Sequence, residues 1–172
     1  MALFRGINVG GNNILPMKEL VKILEVMGFK KVQTYIQSGN VVFQSKKKLH
    51  NEAAEQISSK ISDIYGFRPK VLLLEVSDFE QAIKNCPFQA EDGKTLHFFF
   101  LESHPQNPDL DGLKAIRSRS EEFKLGKNVF YLYAPDGIGR SKLATKVESS
   151  MGVAATARNW NTVKKLMSMA TE

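Results

Sequence analysis

The sequence predicts an α+β protein built from two consecutive β-α-β-β-α-β units with antiparallel sheets, plus a C-terminal helix. Three observations lead there. Apolar residues alternate between strand-like runs and helical spacing in the order strand, helix, strand, strand, helix, strand, and then repeat that order. Two short turns, Ser38-Gly39-Asn40 and Gly126-Lys127-Asn128, each separate a pair of runs short enough to be hairpin strands. A polar connection, Phe88 to Lys94, lies between the two repeats of the pattern.

Each element has its own signal. Ala2 to Val9 reads as a strand, followed by the loop Gly10-Gly11-Asn12-Asn13. Pro16 opens a helix, where its missing N–H costs nothing, and Met17, Leu20, Val21, Leu24 and Met27 recur at helical spacing until Gly28. Lys31 to Ile36 and Val41 to Gln44 form the first hairpin. Ala53, Ala54, Ile57, Ile61 and Ile64 mark a second helix stopped by Gly66, and Val71 to Val76, an almost unbroken apolar run, suits a central strand. Ser77 and Glu80 have capping-box spacing and begin a connecting helix. In the second half, Leu96 to Leu101 is a strand, Asn107-Pro108 starts a short helix, and Glu122–Leu125 pairs with Val129–Tyr133. Leu143, Val147 and Met151 line a helix preceded by Ser141 as N-cap; Val153 to Ala157 is a closing strand, and Val163, Leu166, Met167 and Ala170 define the last helix. This order is the ferredoxin-like motif, twice. The expected division is residues 1–76, a connecting helix and loop over 77–94, and residues 95–172 with the terminal helix.

Composition narrows the classes. Hydrophobic residues make up 42% and charged residues 24%, enough for a packed core and too ordered in pattern for a disordered chain. The net charge of +6 is compatible with a polyanionic partner (nucleic acid, nucleotide or acidic lipid) without deciding among them, and scattered surface lysines on a soluble protein explain it more simply. The Lys46-Lys47-Lys48 run reads as a solvated helix start. A single cysteine, Cys86, forms no intrachain disulfide and fits a reducing compartment. No signal peptide opens the chain and no apolar run is long enough to span a bilayer, so the expected location is cytoplasmic, with no membrane partner.

Conventional catalytic and metal motifs are missing. His50, His97 and His104 have neither i, i+4 spacing nor a cysteine partner, so no metal is expected; His97 reads as a core histidine. No G-x-S-x-G is present. Leu3 to Asn13, LFRGINVGGNN, runs from a strand through glycines to a helix start, where backbone N–H groups and Arg5 can cradle an anion; turn chemistry explains the same glycines and asparagines. Thr156 to Thr162, TARNWNT, supplies an N-cap from Asn159 or Asn161, with Arg158 and Trp160 beside it. QSGN, Gln37 to Asn40, is a tight hairpin. GIGRSKL, Gly137 to Leu143, looks like a phosphate loop but lacks the G-K-[ST] ending and reads as a turn. The fold order also suits base stacking on strand aromatics, with Phe4, Phe43, Tyr131 and Tyr133 as platforms, although no K/R-G-F-x-F run is present.

The runs RGINVGG, PMKEL, TYIQSGNVVF, GRSKL and TARNWNTV occur in an order that resembles the domain-of-unknown-function 1697 family of bacterial proteins. The resemblance implies a single-chain α+β protein and no particular activity or cofactor. Members often carry an Arg in the strand that here reads VLLLEV.

The expected function is therefore binding of a phosphate-bearing ligand, nucleotide or nucleic acid, without catalysis. The competing readings are an enzyme acting on a phosphorylated small molecule and a protein–protein interaction module. The expected ligand-binding residues are Arg5, Asn8, Gly10, Gly11, Asn12, Ser38, Asn40, Arg158, Asn159 and Asn161, of which Arg5, Asn8, Asn12, Asn40, Arg158, Asn159 and Asn161 are expected to gather in one cleft between the halves. Enzyme ranks second because no Asp, Glu or His falls within the two arginine motifs. No residue pattern specifies the ligand, a cofactor or an oligomeric state.

Overall fold

The computed structural model describes residues 1–46 and 51–172, so Lys47, Lys48 and His50 lie outside the described residues. Two compact units emerge, Met1–Phe79 with Lys165–Glu172, and Glu80–Lys164. The first holds β1 (Ala2–Arg5), α1 (Met17–Val26), β2 (Lys30–Tyr35), β3 (Asn40–Gln44), α2 (Asn51–Tyr65) and β4 (Lys70–Leu73). The second holds β5 (Leu96–Leu101), α4 (Leu110–Ile116), β6 (Glu122–Leu125), β7 (Val129–Tyr133), α5 (Lys142–Met151) and β8 (Ala155–Asn159). Two helices cross the division: α3 (Val76–Lys84) and α6 (Trp160–Thr171).

Both sheets are antiparallel and share one strand order, β2-β3-β1-β4 and β6-β7-β5-β8. In each unit the first and third strands are central, which is the ferredoxin-like arrangement read from the sequence; the run expected as a central strand over Val71–Val76 is instead the edge strand β4, paired only with β1, half-buried and ended at Leu73. In unit 1, Ala2, Phe4 and Val41 of the sheet pack with Leu20 and Leu24 of α1 and Ile57 and Ile61 of α2. In unit 2, Phe99, Leu101, Phe130 and Leu132 pack with Leu113, Leu143, Val147 and Met151.

Several boundaries differ from expectation, for local reasons. β1 stops at Arg5 because Gly6 takes φ +80 and bends the chain out of the strand. Pro16 sits at the N-cap rather than inside α1, with extended ψ 134. α3 begins at Val76, which places Ser77 inside the first turn instead of at its cap. α4 begins later than Asn107-Pro108, where Asp109 caps it by accepting from the Gly112 N–H at 2.8 Å. β8 runs on to Asn159, so Thr156, Ala157 and Arg158 are strand residues.

The aromatic strands do not form an open stacking platform. Phe4 and Tyr131 are each 1% exposed, and the Tyr131 hydroxyl donates to the Ala82 carbonyl at 2.7 Å. Phe43 packs against Phe29 with ring centroids 4.5 Å apart. All six residues of β5 are buried, so both of its faces are covered. A base cannot stack on rings already enclosed, and the expectation of a platform on Phe4, Phe43 and Tyr131 is corrected on that ground. Tyr133 is half-buried.

Candidate functional site

The unit 1 portion of the expected site is built around one asparagine. Asn8 takes φ +53, and its Nδ2 donates to the carbonyls of Leu15 (2.9 Å) and Gln37 (2.8 Å). Its Oδ1 accepts from the Leu15 N–H at 2.8 Å. One side chain therefore ties the exit of β1, the approach to α1 and the β2–β3 turn. Asn13 adds a bond from Nδ2 to the Gly6 carbonyl at 2.8 Å. Asn40 is fully buried and donates to the Tyr35 carbonyl (3.2 Å) and to Ser38 Oγ (2.9 Å). Gly39 between them takes φ +71, and a Cβ there would collide with Phe4 and Ile7, so only glycine fits.

The rest of that loop faces solvent. Asn12 N–H donates to the Val9 carbonyl at 2.9 Å around Gly10 (φ +57) and Gly11 (φ +78), a two-residue turn with positive φ at both central positions. Arg5, Gly10, Gly11, Asn12 and Ser38 are exposed. Arg5 ends β1 opposite Lys70.

The unit 2 portion starts a helix. Asn159 Oδ1 accepts from the Thr162 N–H at 2.9 Å, which is an N-cap bond on the first turn of α6. The Trp160 ring stacks on Phe98, centroids 5.5 Å apart and planes within 9°, and the Trp160 backbone N–H donates to the Gly93 carbonyl at 3.1 Å. The Asn161 side chain lies directly over Gly93, where a Cβ would strike it. Arg158 pairs across the sheet with Phe98, and its Nη1 donates to the Ala157 carbonyl at 2.8 Å. Burial pushes its guanidinium pKa down to about 10, which leaves it charged at neutral pH. Arg5, Asn8, Gly10, Gly11, Asn12, Ser38 and Asn40 belong to unit 1; Arg158, Asn159 and Asn161 belong to unit 2.

Unit 2 also carries a cleft that the sequence did not announce. Its volume is about 460 Å³, and its lining includes Ser118, Glu121, Asp136, Arg140, Ser141 and Lys142. One wall is the GIGRSK segment. Gly137 takes φ +93, a single 3-10 turn follows over Ile138–Arg140, and Ser141 caps α5 by accepting from the Ala144 N–H at 3.0 Å. The capped helix start leaves its first N–H groups without intrahelical partners. Exposed Arg140 and Lys142 flank it.

A closed turn over residues 117–121 contributes Ser118 and Glu121 to the same lining. The Ser118 N–H donates to Glu121 Oε2 at 2.9 Å, while the Glu121 N–H donates to the Ser118 carbonyl at 3.3 Å. Arg117 Nη1 reaches the Glu121 carbonyl at 3.1 Å. Ser120 Oγ donates to Asp136 Oδ2 at 2.5 Å and ties this turn to the segment before Gly137. Glu121 is only 4% exposed. The sequence signal for this cleft was half visible, in a G-x-G run before a capped helix. Glu121 and Asp136 come from separate turns and carry no shared motif.

Among the described residues, no group of three or more His, Cys, Asp and Glu side chains is placed to hold a metal ion. Among the same residues, no helix is long and apolar enough to cross a membrane.

A family model described as a protein of unknown function (DUF1697) matches residues 1–131. No curated protein matches the chain. Among solved structures, the conserved bacterial protein SP0830 from Streptococcus pneumoniae is similar, with 28% identity and a TM-score of 0.73. The match covers 98% of this chain and 96% of that one.

Proposed function

We propose that this chain, which belongs to the DUF1697 family of proteins of unknown function, is a non-catalytic binding protein for a phosphate-bearing small molecule, held in the unit 2 cleft. One observation carries the reading. Arg140, Lys142 and the start of α5 face one concave space, and among the described residues neither cation forms an ion pair. A helix start with free N–H groups and flanking cations complements a phosphate. The carboxylates of Glu121 and Asp136 in the same lining repel a continuous polyanion, so a compact ligand fits this cleft better than a nucleic-acid strand.

The test is a thermal-shift titration of the whole chain with nucleoside monophosphates and sugar phosphates. A ligand of the native state at a hundred times its Kd adds about 2.7 kcal/mol of stability. The rise in Tm is expected to vanish in Arg140→Ala/Lys142→Ala. Arg5→Ala examines the alternative contact at Arg5, Gly10, Gly11 and Asn12. Loss of the shift in Arg5→Ala but not in the double variant moves the site to that loop. No shift with any phosphate ends the reading.

A second reading, an enzyme acting on a phosphorylated small molecule, draws on a specific feature. Glu121 and Asp136 place carboxylates beside the cations, as general acid–base work requires. Phosphorus NMR of each binding phosphate after prolonged incubation separates the two: an unchanged spectrum supports binding alone.

A further inference from the structure

Three aliphatic side chains stand in solvent at one end of unit 1. Val9 is 66% exposed, Ile14 55% and Ile36 53%. They come from two segments that a single side chain joins: Asn8 bonds the Leu15 N–H and carbonyl and the Gln37 carbonyl. Val9, Ile14 and Ile36 are the chain neighbours of Asn8, Leu15 and Gln37. The Phe4 N–H donates to the Gly39 carbonyl at 2.8 Å and fixes the same turn to β1. Single exposed aliphatics are ordinary on a protein surface. Three held by one joint are a pre-set surface, which spares a partner the cost of ordering it. Ile36 adds a second sign. It holds φ +50, which a β-branched residue takes only at a cost, and its side chain is more than half exposed. Neither backbone preference nor burial accounts for an isoleucine there, since Asn or Gly holds the same backbone more cheaply.

Charge selects the partner. Residues 5–15 and 36–40 contain no Asp or Glu. Exposed Arg5, the last residue of β1, stands opposite exposed Lys70, the first of β4. Like charges placed opposite each other raise the energy of the edge, and an anionic partner lowers it. We infer that this end of unit 1 docks an acidic protein segment, whose aliphatic side chains cover Val9, Ile14 and Ile36 while its carboxylates meet Arg5 and Lys70. A second copy of the chain does not fit, because a self-complementary contact brings more cations and no acid. A membrane surface fits less well. Among the described residues the exposed large hydrophobics are all Val or Ile, with no aromatic anchor, and a pair of cations falls short of a polybasic cluster. The inference is independent of the unit 2 cleft.

Selection of a random peptide display library on the intact chain, followed by fluorescence anisotropy of the best labelled peptide, tests this. The enriched peptides are expected to share aliphatic residues flanked by Asp or Glu. Val9→Ser/Ile36→Asn is expected to weaken the peptide about tenfold or more, the size of a lost aliphatic contact. Arg5→Glu is expected to weaken it about fivefold or more, and Arg140→Ala/Lys142→Ala to leave it unchanged. Ile36→Asn alone is expected to melt at or above the wild-type Tm, because Asn tolerates that φ. A fall in Tm with unchanged binding makes Ile36 a structural residue and overturns the inference. Ile14→Ser, at an exposed position, takes the place of the double variant should that fail to fold. No enrichment, enrichment of basic or uncharged sequences, or a peptide indifferent to the Val9, Ile14 and Ile36 variants overturns it too. Binding to phosphatidylserine vesicles that exceeds every selected peptide and is lost in the same variants assigns this end to a membrane and overturns it as well.

Discussion

His97 shows how one side chain can set a stability limit. It sits on β5 opposite Leu132 and Asn159, is 6% exposed, and its Nδ1 has no hydrogen-bond partner among the described residues. Burial lowers its pKa below the ordinary 6.5, and the Thr95 backbone offsets only part of that. The folded state therefore binds the proton less readily than the unfolded state. Stability is fully present above about pH 6.5, the unfolded value, and declines as pH falls from there towards the folded pKa. One such group contributes a slope of at most about 1.4 kcal/mol per pH unit. Urea unfolding of wild type and His97→Phe at pH 7.5 and pH 5.5 measures it. The variant is expected to lose less stability between the two pH values; equal losses would show that His97 does not titrate differently on folding.

At the scale of elements, the asparagines of the first loop act as joints. Asn8 makes three hydrogen bonds to two segments and holds a positive φ that asparagine tolerates better than most residues. Asn8→Ala is expected to cost about 2–4 kcal/mol, from three lost bonds at about 1 kcal/mol each and an unfavourable φ. Asn8→Gly loses the same bonds without the φ penalty and is expected to cost about 1 kcal/mol less. Chemical denaturation of both variants checks the order, and an Asn8→Ala variant as stable as wild type would remove Asn8 from this role. The strands and helices themselves were legible, because hairpin turns and switching periodicity are local signals: Glu122–Leu125 and Val129–Tyr133 stand where alternation put them. The fate of polar groups was not. Asn8, Asn40 and Asn159 read equally well as ligands or as staples until their partners are known, and those partners lie up to 29 residues away. Ile36 at φ +50 has no sequence signal either, since β-branched residues rarely take that conformation. Glu121 escaped notice because burial, rather than its neighbours in sequence, makes it unusual.

For the whole molecule, the basic charge and the covered aromatics point the same way. The net charge is +6, enough to attract nucleic acid through its phosphates. Recognition of bases needs more: exposed rings for stacking or side chains aimed at base edges. Phe4 and Tyr131 are enclosed, and Phe98 is taken up by stacking with Trp160. Arg5 and the Gly10–Gly11 turn offer charge and N–H groups to a backbone, and neither distinguishes one sequence from another. Any nucleic-acid binding is therefore expected to be weak, indifferent to sequence and carried by counterion release. With only a few phosphates neutralised, the affinity should fall on the order of 10- to 100-fold between 50 and 200 mM salt. Fluorescence anisotropy with two unrelated single-stranded RNAs and one duplex DNA across that range measures both properties. Similar affinities that fall together with salt are the expected result. Tight binding to one sequence that persists at 200 mM salt would require a base-reading surface that the enclosed aromatic strands do not supply.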